Sequence, residues 1–208
     1  VRRATRDGRE PGALLAAGSA GRHEFRRPLV LACEESSVCT HEIVTDEIAR
    51  AYPGIALTYL NYTFSIHPAG DTPTRRGMFD SWLTGCIPIL FGQGPFAAHH
   101  QGQSKVMPAK AYSRFFAQDG DEAWIQDLAL FAEDEADAVS LPSRVSQKRV
   151  REIQGNILRF IPRMLYWDAE RPMDADMGKW EKYGASNVVA SVLREFADHL
   201  KGQAVPSS

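Results

Sequence analysis

The chain has 208 residues, 44% of them hydrophobic and 24% charged, with a formal net charge of −2. That is length and apolar material for one domain with a real core, and it excludes the broad basic surface of a general nucleic-acid binder. No apolar run reaches the roughly 18 residues of a membrane-spanning helix.

Residues 1–12 (VRRATRDGREPG) are basic and polar and lack the apolar stretch of a secretory signal. A disordered segment is expected there, then one domain over 13–200 and a disordered tail over 201–208. The chain starts with Val and reads as a fragment. Residues 14–17 read as a short strand running into the small-residue turn GSAGR. A helical turn is expected over 27–33 and a strand over 38–44. Thr45-Asp46-Glu47 opens a short helix or turn over 45–52, and 55–62 reads as helical. Residues 63–67 alternate like a strand and stop at Pro68-Ala69-Gly70. The next unit is the clearest: a helix from the N-cap Thr72 and Pro73 to Leu83. Gly85 ends it in a left-handed cap. The apolar run 86–91 (CIPILF) follows as a strand buried on both faces.

Beyond it, 92–103 reads as loop, 109–117 (with YSRFFA) as a strand and 123–135 as a helix. Val150, Ile153, Ile157, Ile161 and Met164 recur at three and four, so 143–167 is expected to be one long helix kinked at Pro162. A last amphipathic helix is expected over 187–200. Strands alternating with helices predict an open α/β sheet.

The chain has three cysteines. Cys33 and Cys39 (CEESSVC) either close a small disulfide loop or remain two thiols; Cys86 reads as core. No cysteine or histidine spacing is that of a zinc site. Asp119-Gly120-Asp121 and Asp174-Ala175-Asp176 spell the DxD that holds metal in some transferases, but read as solvated loops, as does His99-His100. Asn61-Tyr62-Thr63 is a glycosylation sequon that a buried strand starting at Thr63 would leave unused.

The stretch GDTPTRRGMFDSWL puts two arginines, Arg75 and Arg76, at the start of a helix. The first four N–H groups of a helix have no internal partner and that end is partly positive, so arginine is unfavourable there unless an anion is near. A phosphate resolves the conflict, taking the free N–H groups, the helix dipole and two guanidiniums together. Thr72 and Thr74 add hydroxyls, and Gly70 and Gly77 allow close approach. Asp80, four residues after Arg76, lies on the same helix face, one turn below such an anion. The competing reading is a surface helix whose arginines pair with acidic loops. The spacing is neither that of a P-loop nor GxGxxG.

Residues 66–91, IHPAGDTPTRRGMFDSWLTGCIPILF, resemble the signature of the exostosin-like glycosyltransferases (glycosyltransferase family 47), closest to the plant and algal branch of xyloglucan galactosyltransferases. That family shows an extended segment, P-x-GD, a Thr/Ser-Arg-Arg turn, an F-D helix and GCIPV. ALLAAGSAGR is similar to the family's strand and turn, with an extra Gly21. The Arg and Cys that follow are matched by Arg26 or Arg27 and by Cys33. YLNYTF, IPRMLYWD and DADMGKW…ASNVVASVL extend the likeness over most of 13–198.

The resemblance implies the C-terminal, donor-binding half of an inverting GT-B glycosyltransferase, with a Rossmann-like open parallel sheet. It implies a UDP-sugar as donor substrate and no metal cofactor. Arg75 and Arg76 would meet the diphosphate in a turn formed with Gly70, Asp71, Thr72 and Thr74. Asp80 would meet the ribose, and Gly18 and Arg22 would lie near the same cleft. The partners implied are a glycan or polysaccharide acceptor and the missing N-terminal half, or a partner transferase that replaces it; no nucleic acid is expected. Inversion needs a general base on the acceptor side, which in this architecture the other half supplies. His67 is counted with the residues of that turn as expected to bind the nucleotide-sugar. His67 and Asp71 are the titratable groups nearest the turn, and as bases they read less well than as a strand-end packing residue and a turn former. The family's enzymes are type II proteins of the Golgi membrane with a lumenal catalytic part, a compartment that a Cys33–Cys39 pair would fit. A non-catalytic nucleotide-sugar-binding or scaffolding module is the alternative.

Overall fold

The structure, a computed structural model, describes residues 10–17, 24–45, 55–69, 76–92, 108–117 and 121–164. Among the described residues five strands form one sheet: β1 (Glu10–Ala17), β2 (Cys39–Ile43), β3 (Tyr62–Ile66), β4 (Ile87–Phe91) and β5 (Leu130–Ala132). Their order is β2-β1-β3-β4-β5 and every pairing is parallel. This is the open α/β sheet expected from the alternation of elements, parallel and Rossmann-like as the family resemblance implies.

Parallel sheets are covered on both faces, so their inner strands lose the polar alternation of a half-exposed strand. All five residues of β4 are buried. In β1, Ala13, Leu15 and Ala17 join the main core with Leu29, Val30 and Cys33, while Leu14 and Ala16 join a smaller cluster with Tyr59 and Cys86 on the opposite face. Register carries these faces across the sheet: Leu14 pairs with Ser65, and Ser65 with Pro88. Gly12 is required by a close approach, since a Cβ there would lie 2.6 Å from the Val38 carbonyl oxygen.

Helix α1 (Arg27–Glu35) connects β1 to β2, with Pro28 in its first turn where no N–H is needed. The structure joins Cys33, in α1, to Cys39, at the start of β2, in a disulfide. Helix α2 is a single turn (Ala56–Tyr59), shorter than expected, and α3 (Arg76–Leu83) connects β3 to β4. The residues expected to open α3, from Thr72, lie outside the described ones. Gly85 ends it with φ 70°, donating its N–H to the Trp82 carbonyl, as the sequence predicts.

Several expectations are corrected. Residues 109–117 are helix α4 (Pro108–Phe116), not strand. Its aromatics suggested β structure, but Tyr112, Ser113 and Phe116 follow helical spacing, and Phe116 and Ser113 are buried. Residues 123–135 are not one helix. A 3-10 turn (Glu122–Ile125), capped by Asp121 accepting from Ala123 N–H, leads to β5. Asp134 then caps α5 (Glu135–Arg144) by accepting from Asp137 N–H. Nor is there one helix from 143: Ser146 caps a new helix, α6 (Gln147–Phe160), which passes into a 3-10 turn (Ile161–Arg163) at Pro162. Along α6, Val150, Ile153, Ile157 and Phe160 are buried, the stripe expected from periodicity. Residues 10–12, expected to belong to a disordered segment, instead begin β1, held in the sheet where Glu10 pairs with Tyr62. Residues 1–9, the helix expected over 187–200 and the tail over 201–208 lie outside the described residues.

Candidate functional site

The order of strands locates a crevice. After β1 the chain steps to β2 on one side; after β3 it steps to β4 on the other. β1 and β3 are neighbours, so the direction of winding reverses between them. In open α/β sheets, ligands bind outside the carboxyl ends of the strands at such a point. The segment holding Gly18 and Arg22 follows β1, and that holding Gly70, Asp71, Thr72, Thr74 and Arg75 follows β3. These seven residues lie outside the described ones, but both segments depart from adjacent strand ends.

Arg76, first residue of α3, has a side chain 61% exposed, and its Nε lies 3.3 Å from Asp80 Oδ2. Asp80 is only 12% exposed. Burial pushes its carboxyl above the usual aspartate range, and the charge of Arg76 pulls it partway back. One turn of helix thus presents an exposed guanidinium with a carboxylate beneath it, the pairing the i, i+4 spacing predicts.

His67 is buried, directly after β3. Its Nε2 lies 2.9 Å from Ser65 Oγ and 2.9 Å from Ser81 Oγ, and the two hydroxyls are also 2.9 Å apart. Ser81 donates its one proton to the Gly77 carbonyl at 2.7 Å. Tyr59 packs beside the imidazole, with ring centroids 5.8 Å apart. A Cβ on Gly77 would lie 2.8 Å from the Tyr59 hydroxyl and 3.2 Å from His67 Cε1. His67 thus belongs to a buried polar joint that seats the first turn of α3 on β3. Trp82 seats the other end: fully buried, it donates its indole N–H to the Leu128 carbonyl at 2.9 Å.

Arg26 ends a 3-10 turn (Glu24–Arg26) after β1, and its side chain is buried. Its Nε and Nη2 donate to the Ala69 carbonyl at 3.2 and 2.7 Å, and its guanidinium lies 5.0 Å from the Phe25 ring centroid. Arg27 is exposed. Between the two arginines the family resemblance left open, Arg26 is the one built into the crevice. Two adjacent arginines before a proline give no signal of which is buried, and only the fold reveals it.

At the ends of β4 and β5 a cavity of about 460 Å³ is lined by Leu90, Gly92, Ala109, Ala123 and Phe131, with Glu122 and Gln126 as its polar members. Its walls come from α4, the 3-10 turn and β5, the segments whose class the sequence misleads on. Asp121, half of one DxD, is spent on its cap. Thr63 of the sequon is buried in β3.

No family model matches the chain. It is similar to curated plant proteins. The xyloglucan galactosyltransferase MUR3 of Arabidopsis thaliana is 28% identical over 142 residues, which cover 67% of this chain and 21% of the relative. The xyloglucan galactosyltransferase XLT2 of the same plant is 27% identical over 146 residues, 69% of this chain and 26% of the relative. Its xyloglucan-specific galacturonosyltransferase 1 is 47% identical over 38 residues, 18% of this chain and 5% of the relative. The chain thus spans a minor part of the length of each.

Proposed function

We infer that this chain is the donor-binding part of an exostosin-like glycosyltransferase, taking a UDP-sugar and passing the sugar to a glycan or polysaccharide acceptor. The observation that carries the reading is the start of α3. An exposed arginine over a partly buried carboxylate stands at the carboxyl end of β3, where the sheet's winding reverses. Similarity to transferases of plant xyloglucan supports the same reaction class.

In the proposed reaction an acceptor oxygen attacks the anomeric carbon and the bond from that carbon to the β-phosphate oxygen breaks. The acceptor proton passes to a base. UDP leaves with a charge that Arg75, Arg76 and the helix N-terminus are there to stabilise. Asp80, held beneath Arg76, accepts from the ribose hydroxyls. The base and the acceptor cleft come from a second half of a GT-B arrangement, in keeping with the small share of each relative that the chain matches. The Cys33–Cys39 pair suits a Golgi lumenal location. The relatives' names differ in the sugar, galactose or galacturonate, and the sugar transferred here is left open between them.

The test is calorimetric titration of UDP into the chain with EDTA present, beside the Arg75→Ala/Arg76→Ala variant. Binding by the wild type and its loss in a variant with an unchanged circular dichroism spectrum is the expected result. Equal affinities in the two would overturn the assignment of the site.

A further inference from the structure

We propose that Asn61 is a glycosylation site, whose side-chain nitrogen takes an oligosaccharide while the chain is being made. Asn61-Tyr62-Thr63 is the one Asn-x-Ser/Thr sequence in the 208 residues, and its middle residue is not proline. A buried Thr63 argues against such a site only if the transferring enzyme meets the finished fold. The structure separates the two ends of the sequon. Thr63, in β3, is 2% exposed. Asn61 is exposed, in the turn between α2 and β3, where its backbone N–H donates to the Thr58 carbonyl at 3.1 Å.

The order of synthesis reconciles a buried Thr63 with a used site. Thr63 is closed in only when β3 has a neighbour on each side and a helix over its face. Its second neighbour, β4 (Ile87–Phe91), comes later in the chain. So does α3 (Arg76–Leu83), whose Ser81 meets Ser65, on the face of β3 that Thr63 shares by strand alternation. A sequon read on the emerging chain is still open on both counts. Once the sheet is complete, Asn61 stays outside it. It stands at the amino end of β3, the opposite end from the crevice at the carboxyl ends. Leu57 and Leu60 of the same turn are 55% and 44% exposed, apolar surface that a bulky hydrophilic glycan would shield. The Cys33–Cys39 disulfide suits an oxidising compartment, entered by the route on which such glycans are added. The proposal rests on that lumenal reading and not on the UDP site. In the transfer, the Asn61 amide nitrogen attacks the anomeric carbon of a lipid-diphosphate-linked oligosaccharide. The bond from that carbon to the phosphate oxygen breaks, the lipid diphosphate leaves, and the amide gives up one proton to a base of the transferring enzyme.

Peptide N-glycosidase turns a glycan-bearing asparagine into aspartate, so the protein isolated from its own cells decides the matter. Residue 61 is expected to be read as aspartate by mass spectrometry after that treatment; asparagine there would overturn the proposal. Translation of the chain behind a secretory leader, with microsomes present, separates the causes. Protease protection marks the imported molecules, whatever their folding. Imported wild type should gain one mass step that the glycosidase removes. Asn61→Gln should lack the step, and Thr63→Ser, which keeps the sequon, should retain it. Import without the step, or a step that persists in Asn61→Gln, would overturn Asn61 as an acceptor. A step in microsomes with unmodified Asn61 in the cell's own protein would instead overturn the lumenal reading, and the proposal with it. The UDP titration stands apart from all of these outcomes.

Discussion

Gly77 shows what a single atom does at this site. It is the second residue of α3, where alanine would favour the helix by up to about 1 kcal/mol. Its Cβ, however, would meet the Tyr59 hydroxyl at 2.8 Å, and Tyr59 is 1% exposed with nowhere to move. Overpacking of this kind costs about 1–3 kcal/mol, so the steric term wins. Gly77→Ala is expected to lower stability in urea melts. Adding Tyr59→Phe, which removes the clashing oxygen, should recover part of the loss as a measurable coupling; strictly additive effects would mean that the hydroxyl is not what α3 rests on. Asp80 offers a second reading at this scale. Because burial raises its pKa, the folded chain holds the proton more tightly than the unfolded chain does. Between the ordinary value and the raised one, stability therefore falls as pH rises. Arg76→Ala removes the opposing pull. The Asp80 carboxyl, followed by carbon NMR, should then titrate higher still; a titration that stays put or moves down would show that Arg76 does not act on it.

Among the elements, α1 and β2 form the most firmly tied pair. The disulfide joins Cys33 to Cys39, and His41 Nδ1 lies 2.9 Å from Glu34 Oε1. For a loop this short, chain entropy alone makes the crosslink worth about 2 kcal/mol. Cys33→Ser/Cys39→Ser should lower the urea-derived stability by that amount, and a reductant should lower the wild type to match; a wild type indifferent to reductant would mean that the pair is not formed. The elements also show where the sequence speaks clearly. β4 was legible because IPILF is apolar throughout, and the end of α3 because only glycine takes φ 70° without strain. α4 was not, because Tyr112, Phe115 and Phe116 suit either state by propensity, and packing against Trp124 and Phe160 decides. β5 was not, because three residues between two caps carry no period. The caps themselves, Asp121, Asp134 and Ser146, were readable signals for the boundaries that the apolar pattern blurred. Of the site, Arg76 over Asp80 followed from i, i+4 spacing. Arg26 and the Ser65–His67–Ser81 joint did not, since each unites positions far apart in the chain.

For the molecule as a whole, the sheet order decides where the candidate site can be. It draws the exits of β1 and β3 side by side. The same order bears on how the chain comes together as it is made. β1 emerges first, and β2 joins one of its edges. β3 joins the other edge, β4 then lies beside β3, and β5 beside β4. Among the described strands, none must be inserted between two already paired. Growth outward from β1 leaves an open edge for each newcomer, so pairing can keep pace with N-to-C synthesis. The crevice is framed once β3 is in place, and its arginine helix follows directly behind.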